Sequence, residues 1–147
     1  MSGVQARLAE LGLTLPKVSP PLADYVPAVQ SGRHVYVSGQ LPMVDGTLVA
    51  TGKVGAEVGA DQAKELAKRC ALNALAAIDA LVGLDRVTRV VKLTGFVAAA
   101  PGFTAVPAVI NGASELMGAV FGEAGRHARS AVGVAELPLG APVEVEF

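Results

Sequence analysis

An α+β fold, with two helices side by side on one face of a single mixed β-sheet, is predicted by three observations. Two long stretches carry apolar residues at three- and four-residue steps, the pattern of a helix with one buried face. Strand-like runs precede, separate and follow those stretches, giving the order β-β-(β)-α-β-α-β-β behind a short N-terminal helix. No further helix is left over for the second sheet face, so a partner subunit is the natural cover for it. Residues 1–147 are assigned to one domain, with residues 1–21 as an N-terminal helix and extended lead-in.

Val4–Leu11 has apolar residues at 4, 8 and 11 and is predicted as a short helix ended by Gly12. Pro16, Pro20 and Pro21 deny helix to Thr14–Asp24. Tyr25–Gln30 and Arg33–Leu41 read as strands around a Ser31-Gly32 hairpin signal. His34, Tyr36 and Ser38 alternate with Val35, Val37 and Gly39, which implies one buried face. Asp45-Gly46 marks a second turn within Met43–Val49. Thr51–Gly59 is a glycine-rich loop without the spacing of a phosphate-binding loop, and Lys53 is read as solvated.

Asp61–Leu81 is the clearest helix, with Asp61 as its expected N-cap and Gly83 as its stop. Arg86–Ala99 reads as one long strand, broken by Pro101 and Gly102. Val106–Phe121 is the second long helix, with Pro107 in its first turn and Gly122 and Gly125 ending it. Two final strands, Ala131–Glu136 and Val143–Phe147, flank a Pro138–Pro142 turn and are expected to be neighbours.

Composition narrows the function classes. Twelve basic residues against thirteen acidic ones leave no basic block, Trp is absent and only six aromatics remain. A nucleic-acid partner is opposed on both counts, charge and stacking. No run of eighteen apolar residues exists and the N-terminus lacks a signal-peptide pattern, so neither a membrane nor export is expected and the cytoplasm is the default. An apolar content of 52% with only 17% charged residues suggests that surface is hidden in an oligomer. Cys70 has no partner cysteine and sits on a helix face, where it reads as a small core hydrophobe. His34 and His127 are far apart, and no cysteine or carboxylate cluster surrounds either, so no metal site is expected.

The stretch from Arg129 to Phe147 holds one arginine in a run with no other basic residue. A guanidinium keeps its charge and offers a planar fork that matches a carboxylate. Glu144 and Glu146 lie in the last strand, two residues apart and hence on one face. An arginine and a carboxylate on paired strands would hold a small anion and set a water against it.

Several pieces together resemble the RidA/YjgF family of reactive-intermediate imine deaminases, also labelled L-PSP endoribonucleases. They are Asp24-Tyr25-Val26, V-S-G-Q-L-P at Val37–Pro42, Asn73, V-K-L-T-G-F-V at Val91–Val97, and the block from Ala128 to Glu146. The resemblance implies a chorismate-mutase-like fold and a homotrimer whose three sheets form a central barrel, with ligand clefts between subunits. It implies hydrolysis of small 2-imino acids to 2-oxo acids and ammonia, without cofactor or metal. Arg129 would hold the substrate carboxylate and Glu144 would take a proton from the attacking water, with Glu146 as its stand-in. Tyr25, Ser38, Gly39, Gln40 and Phe96 would line the cleft, and the backbone N–H of Ala131 would act where the family's deaminases carry cysteine.

That alanine, a longer Phe103–Asn111 segment and the N-terminal extension place the chain in a longer, less characterised branch. Alternatives are a non-catalytic trimeric binder of small carboxylates, an endoribonuclease, and a structural or protein-interaction role.

Overall fold

Apolar periodicity decides where the two long helices lie. In the computed structural model, which describes residues 3–147, they span Ala60–Val82 (α2) and Val106–Phe121 (α3), behind a short helix Gly3–Glu10 (α1). Helix α2 buries Ala63, Leu66, Ala67, Cys70, Ala71 and Leu75, while α3 buries Val109, Ile110, Ala113, Leu116, Met117 and Val120. Small side chains let the two helices approach closely: a Cβ on Gly112 would collide with the Lys64 carbonyl oxygen. The N-cap of α2 is Gly59, with no side-chain bond, and not Asp61. Asp61 lies in the first turn, where its charge still meets the positive end of the helix dipole. Gly83 ends α2 as predicted, at φ +85°, its N–H bonding Asp79 O.

The strands are Ala28–Ser31 (β1), His34–Val37 (β2), Met43–Val44 (β3), Thr47–Leu48 (β4), Lys92–Ala98 (β5), Ala128–Val134 (β6) and Val143–Glu146 (β7). Strand β5 is central, parallel to β6 and antiparallel to β7. The β1–β2 hairpin is stitched to β7 by Val37 N–H on Phe147 O (2.8 Å) and by Gln40 and Val145, which exchange bonds of 2.8 and 3.1 Å. The result is one mixed sheet ordered β1-β2-β7-β5-β6, with α2 and α3 on one face, as the α+β, chorismate-mutase-like prediction required. The small β3–β4 hairpin turns on Asp45 and Gly46, both at positive φ (50° and 80°).

Three further sequence expectations, all of strands, need correction. The two C-terminal strands are not neighbours, because β5 lies between them. Strand β6 begins at Ala128 and ends at Val134, so Arg129 is inside it and Ala135-Glu136 are outside. The long strand expected over Arg86–Ala99 starts only at Lys92: Leu84–Arg86 form a 3-10 turn, and Val90 N–H is taken by Ala124 O.

Leu93 and Val97 of β5 and Val143 and Val145 of β7 are fully buried beneath the helices. Thr94, Phe96, Glu144 and Glu146 therefore point to the other face, and no helix covers it among the described residues. That face leaves Val132, Tyr36 and Val29 exposed. No described helix is long and apolar enough to cross a membrane.

Candidate functional site

Sheet sidedness separates the two residues on which the predicted chemistry depends. Arg129 stands opposite Leu93 in the ladder, so its side chain turns toward the helices. There Nη1 donates to Asn111 Oδ1 (2.8 Å) and Ser114 Oγ (3.2 Å) on α3. Ser114 Oγ in turn lies 2.9 Å from His127 Nε2, and His127 Nδ1 lies 2.6 Å from Gly125 O. A carbonyl oxygen only accepts, so Nδ1 carries a hydrogen; in the neutral ring Nε2 then accepts the Ser114 hydroxyl proton. Nε and Nη2 of Arg129 make no hydrogen bond among the described residues.

Backbone direction gives Ala131 its place. Ala128 N–H bonds Val91 O (3.0 Å) and Val134 O accepts from Ala99 N–H (3.4 Å), so even-numbered residues of β6 turn their peptide groups toward β5. Those of Arg129 and Ala131 alternate outward, along the free edge of the sheet. The Ala131 methyl packs against the core.

Glu144 occupies the opposite face of β7, half-buried. Its carboxyl is pushed above the usual range, first by burial and second by the charge of Glu146. Gly39 lies so close that a Cβ there would overlap Glu144 Oε1, hence the glycine in the S-G-Q segment. Together they line a pocket of about 70 Å³ with Pro21, Leu22, Tyr25 and Gln40. Tyr25 is 45% exposed and its hydroxyl accepts Leu22 N–H (3.3 Å). The Ser38 hydroxyl donates to Val26 O (2.6 Å), tying the lead-in to β2 instead of lining the pocket. Gln40 Nε2 donates to Ser38 O (3.0 Å). Phe96 lies in a cross-strand row between Val132 and Glu144.

The chain thus brings Glu144, Tyr25, Gly39 and Gln40 together, with Phe96 alongside, and holds Arg129 and Ala131 elsewhere. Neighbouring strands are about 4.8 Å apart, so β6 and β7, flanking β5, are separated by about 10 Å, and the two side chains leave opposite faces. Glu146 lines a different and larger concavity of about 840 Å³, between the β1–β2 hairpin and residues 86–92, which contains none of the other candidates. That distinguishes it from Glu144.

Two residues on α3 escaped the sequence reading, Asn111 and Ser114, as did the part played by His127. Their signal was faint: two polar side chains three apart on a helix whose one charged residue is Glu115. Asn73 anchors the Glu144 side from behind: it is the one buried polar side chain among the described residues, and its Nδ2 donates to Leu41 O (3.0 Å) and Met43 O (3.2 Å). Cys70 is fully buried, and burial raises its thiol pKa well above the ordinary value, consistent with a core role.

The family profile described as "YjgF/chorismate_mutase-like, putative endoribonuclease" matches residues 5–145. Protein TCP17 of Trypanosoma cruzi is 49% identical over 145 residues, covering 97% of this chain and 91% of that protein. A solved structure from Shewanella oneidensis MR-1, described as "a putative endoribonuclease", superposes with a TM-score of 0.95 at 31% identity, over 99% of this chain and 97% of that one. Escherichia coli TdcF with bound serine superposes with a TM-score of 0.61 at 26% identity, over 88% of this chain and 90% of that one.

Proposed function

This chain belongs to the RidA/YjgF family, and from that premise we propose that it hydrolyses small 2-imino acids in clefts shared by two subunits of a homotrimer. The observation that carries the proposal is the split just described: Arg129 and Glu144 leave opposite faces of one sheet. A single chain cannot present both to one small molecule. A second copy covering the exposed Val132–Tyr36 face would bring one chain's Glu144 pocket to another chain's β6 edge.

The chemistry follows from the groups. Arg129 holds the substrate carboxylate through its fork. Water attacks C2 of the imine while Glu144 takes its proton and passes it to the imine nitrogen, forming a carbinolamine. Glu144 then takes the hydroxyl proton and delivers it to the amino nitrogen as the C–N bond breaks, so that ammonia leaves and the carbonyl forms. A carboxyl raised above its usual range is a stronger base once ionised and is nearer the working pH, which suits both transfers. An outward Ala131 N–H supplies a main-chain donor beside the carboxylate.

Mixing tests the shared cleft. Arg129→Ala and Glu144→Gln are each expected to be inactive when ammonia release from 2-iminobutanoate generated in situ is followed. Refolded together, they should regain about a quarter of wild-type activity, because about one cleft in four receives both intact residues. A mixture as inactive as its components would sink the proposal. Serine bound to TdcF favours a second reading, a carboxylate binder without turnover; binding of 2-oxobutanoate with no acceleration of ammonia release would select it.

A further inference from the structure

We infer that Asn111, Ser114 and His127 are positioning residues that fix which edge of Arg129 meets the carboxylate; the inference rests on the deaminase reading above. Both hydrogens of Nη1 are occupied, one by Asn111 Oδ1 at 2.8 Å and one by Ser114 Oγ at 3.2 Å. A guanidinium can grip a carboxylate bidentately through Nη1–Nη2 or through Nε–Nη2. With Nη1 engaged, the Nε–Nη2 edge is the one that remains, so the carboxylate is held side-on.

His127 controls this through Ser114. A hydroxyl has one hydrogen and two lone pairs. The Gly125 carbonyl, 2.6 Å from Nδ1, selects the tautomer whose Nε2 is an acceptor. The Ser114 hydrogen is therefore directed at His127, 2.9 Å away, and its lone pairs are left facing Nη1. Without His127 the hydroxyl is free to rotate its hydrogen toward the guanidinium, which repels it. Gly125 is itself held in place: a Cβ there would strike the Met117 carbonyl oxygen, so the turn that carries the controlling carbonyl packs directly on α3. Each residue acts through Arg129 and touches no reacting atom, so the effect belongs to capture and not to turnover.

The test compares Ser114→Ala, Asn111→Ala, His127→Gln and His127→Asn with Arg129→Ala, measuring kcat and KM for 2-iminobutanoate and 2-oxobutanoate binding by calorimetry. Removing one hydrogen bond to a charged group should raise KM and weaken binding about tenfold with kcat unchanged. His127→Gln, which can return an acceptor to the Nε2 position, should recover most of the affinity that His127→Asn loses. Ser114→Thr, which keeps the hydroxyl, should behave as wild type. Arg129→Ala abolishing binding while the α3 and His127 variants bind normally would overturn the inference and leave the deaminase reading standing. Falls in kcat at constant KM, or His127→Gln no better than His127→Asn, would also overturn it. Indifference of ligand binding to Arg129→Ala would instead defeat the underlying reading.

Discussion

Arg129, beneath α3, is surrounded by side chains that can hydrogen-bond, whereas Glu144, on the opposite sheet face, meets a glycine, a second carboxylate and a proline-rich lead-in. The first environment fixes a charge by giving it partners. The second leaves a charge poorly solvated and beside another carboxylate, which is why its carboxyl moves up. In the proposed mechanism one half binds and the other exchanges a proton.

The largest effect should come from the proton-exchanging half. Glu144→Gln is expected to lower kcat by about 10²–10⁴-fold with little change in KM, followed by ammonia release; retained turnover would transfer the base to another group. On the binding half, Arg129→Lys keeps the charge and removes the planar fork. Its kcat/KM should fall about a hundredfold, mostly through KM, and a near-normal KM would show that charge alone suffices.

A subtler probe displaces Glu144 without altering it. Gly39→Ala puts a methyl where its Oε1 lies, and kcat should drop about ten- to a hundredfold from misplacement while 2-oxobutanoate binding stays close to wild type. An equal loss in binding would mean that the two halves are not separable.

The smallest effect is on stability. A carboxyl whose folded-state pKa is raised binds protons more tightly in the native state than in the unfolded chain, so stability is lost as pH rises from the unfolded value through the folded one. Glu144→Gln should therefore melt higher than wild type at neutral pH, and the gain should vanish below the ordinary carboxylate range. A gain that persists in acid would point to packing instead of charge.

Legibility in the sequence followed the range of the forces involved. Helix α3 was bounded correctly at Val106 and Phe121, because its apolar stripe and its flanking Pro107 and Gly122 are local signals. The hairpins at Gly32 and Asp45-Gly46 were equally local. Strand order was not: the pattern of β6 and β7 says that each has a buried face, and nothing in it says that β5 lies between them. Residues 86–91 alternate like a strand, yet their backbone is claimed by Ala124 and by a 3-10 turn. Arg129 and Glu144 were found through a motif, and their placement on opposite faces required the register. Asn111 and Ser114 lie eighteen and fifteen residues from Arg129, beyond any periodicity that could link them to it.

The outward-turned peptide groups of Arg129, Ala131 and Gly133 form a row of donors and acceptors that no strand pairs among the described residues, next to an exposed Val132. Such a border is a template on which any extended chain can align. If the proposed homotrimer forms, a chain released from it would be exposed to misdirected pairing along this row. Dilution or a surface mutation that weakens assembly should then show itself as precipitation before it shows itself as a stable solitary chain.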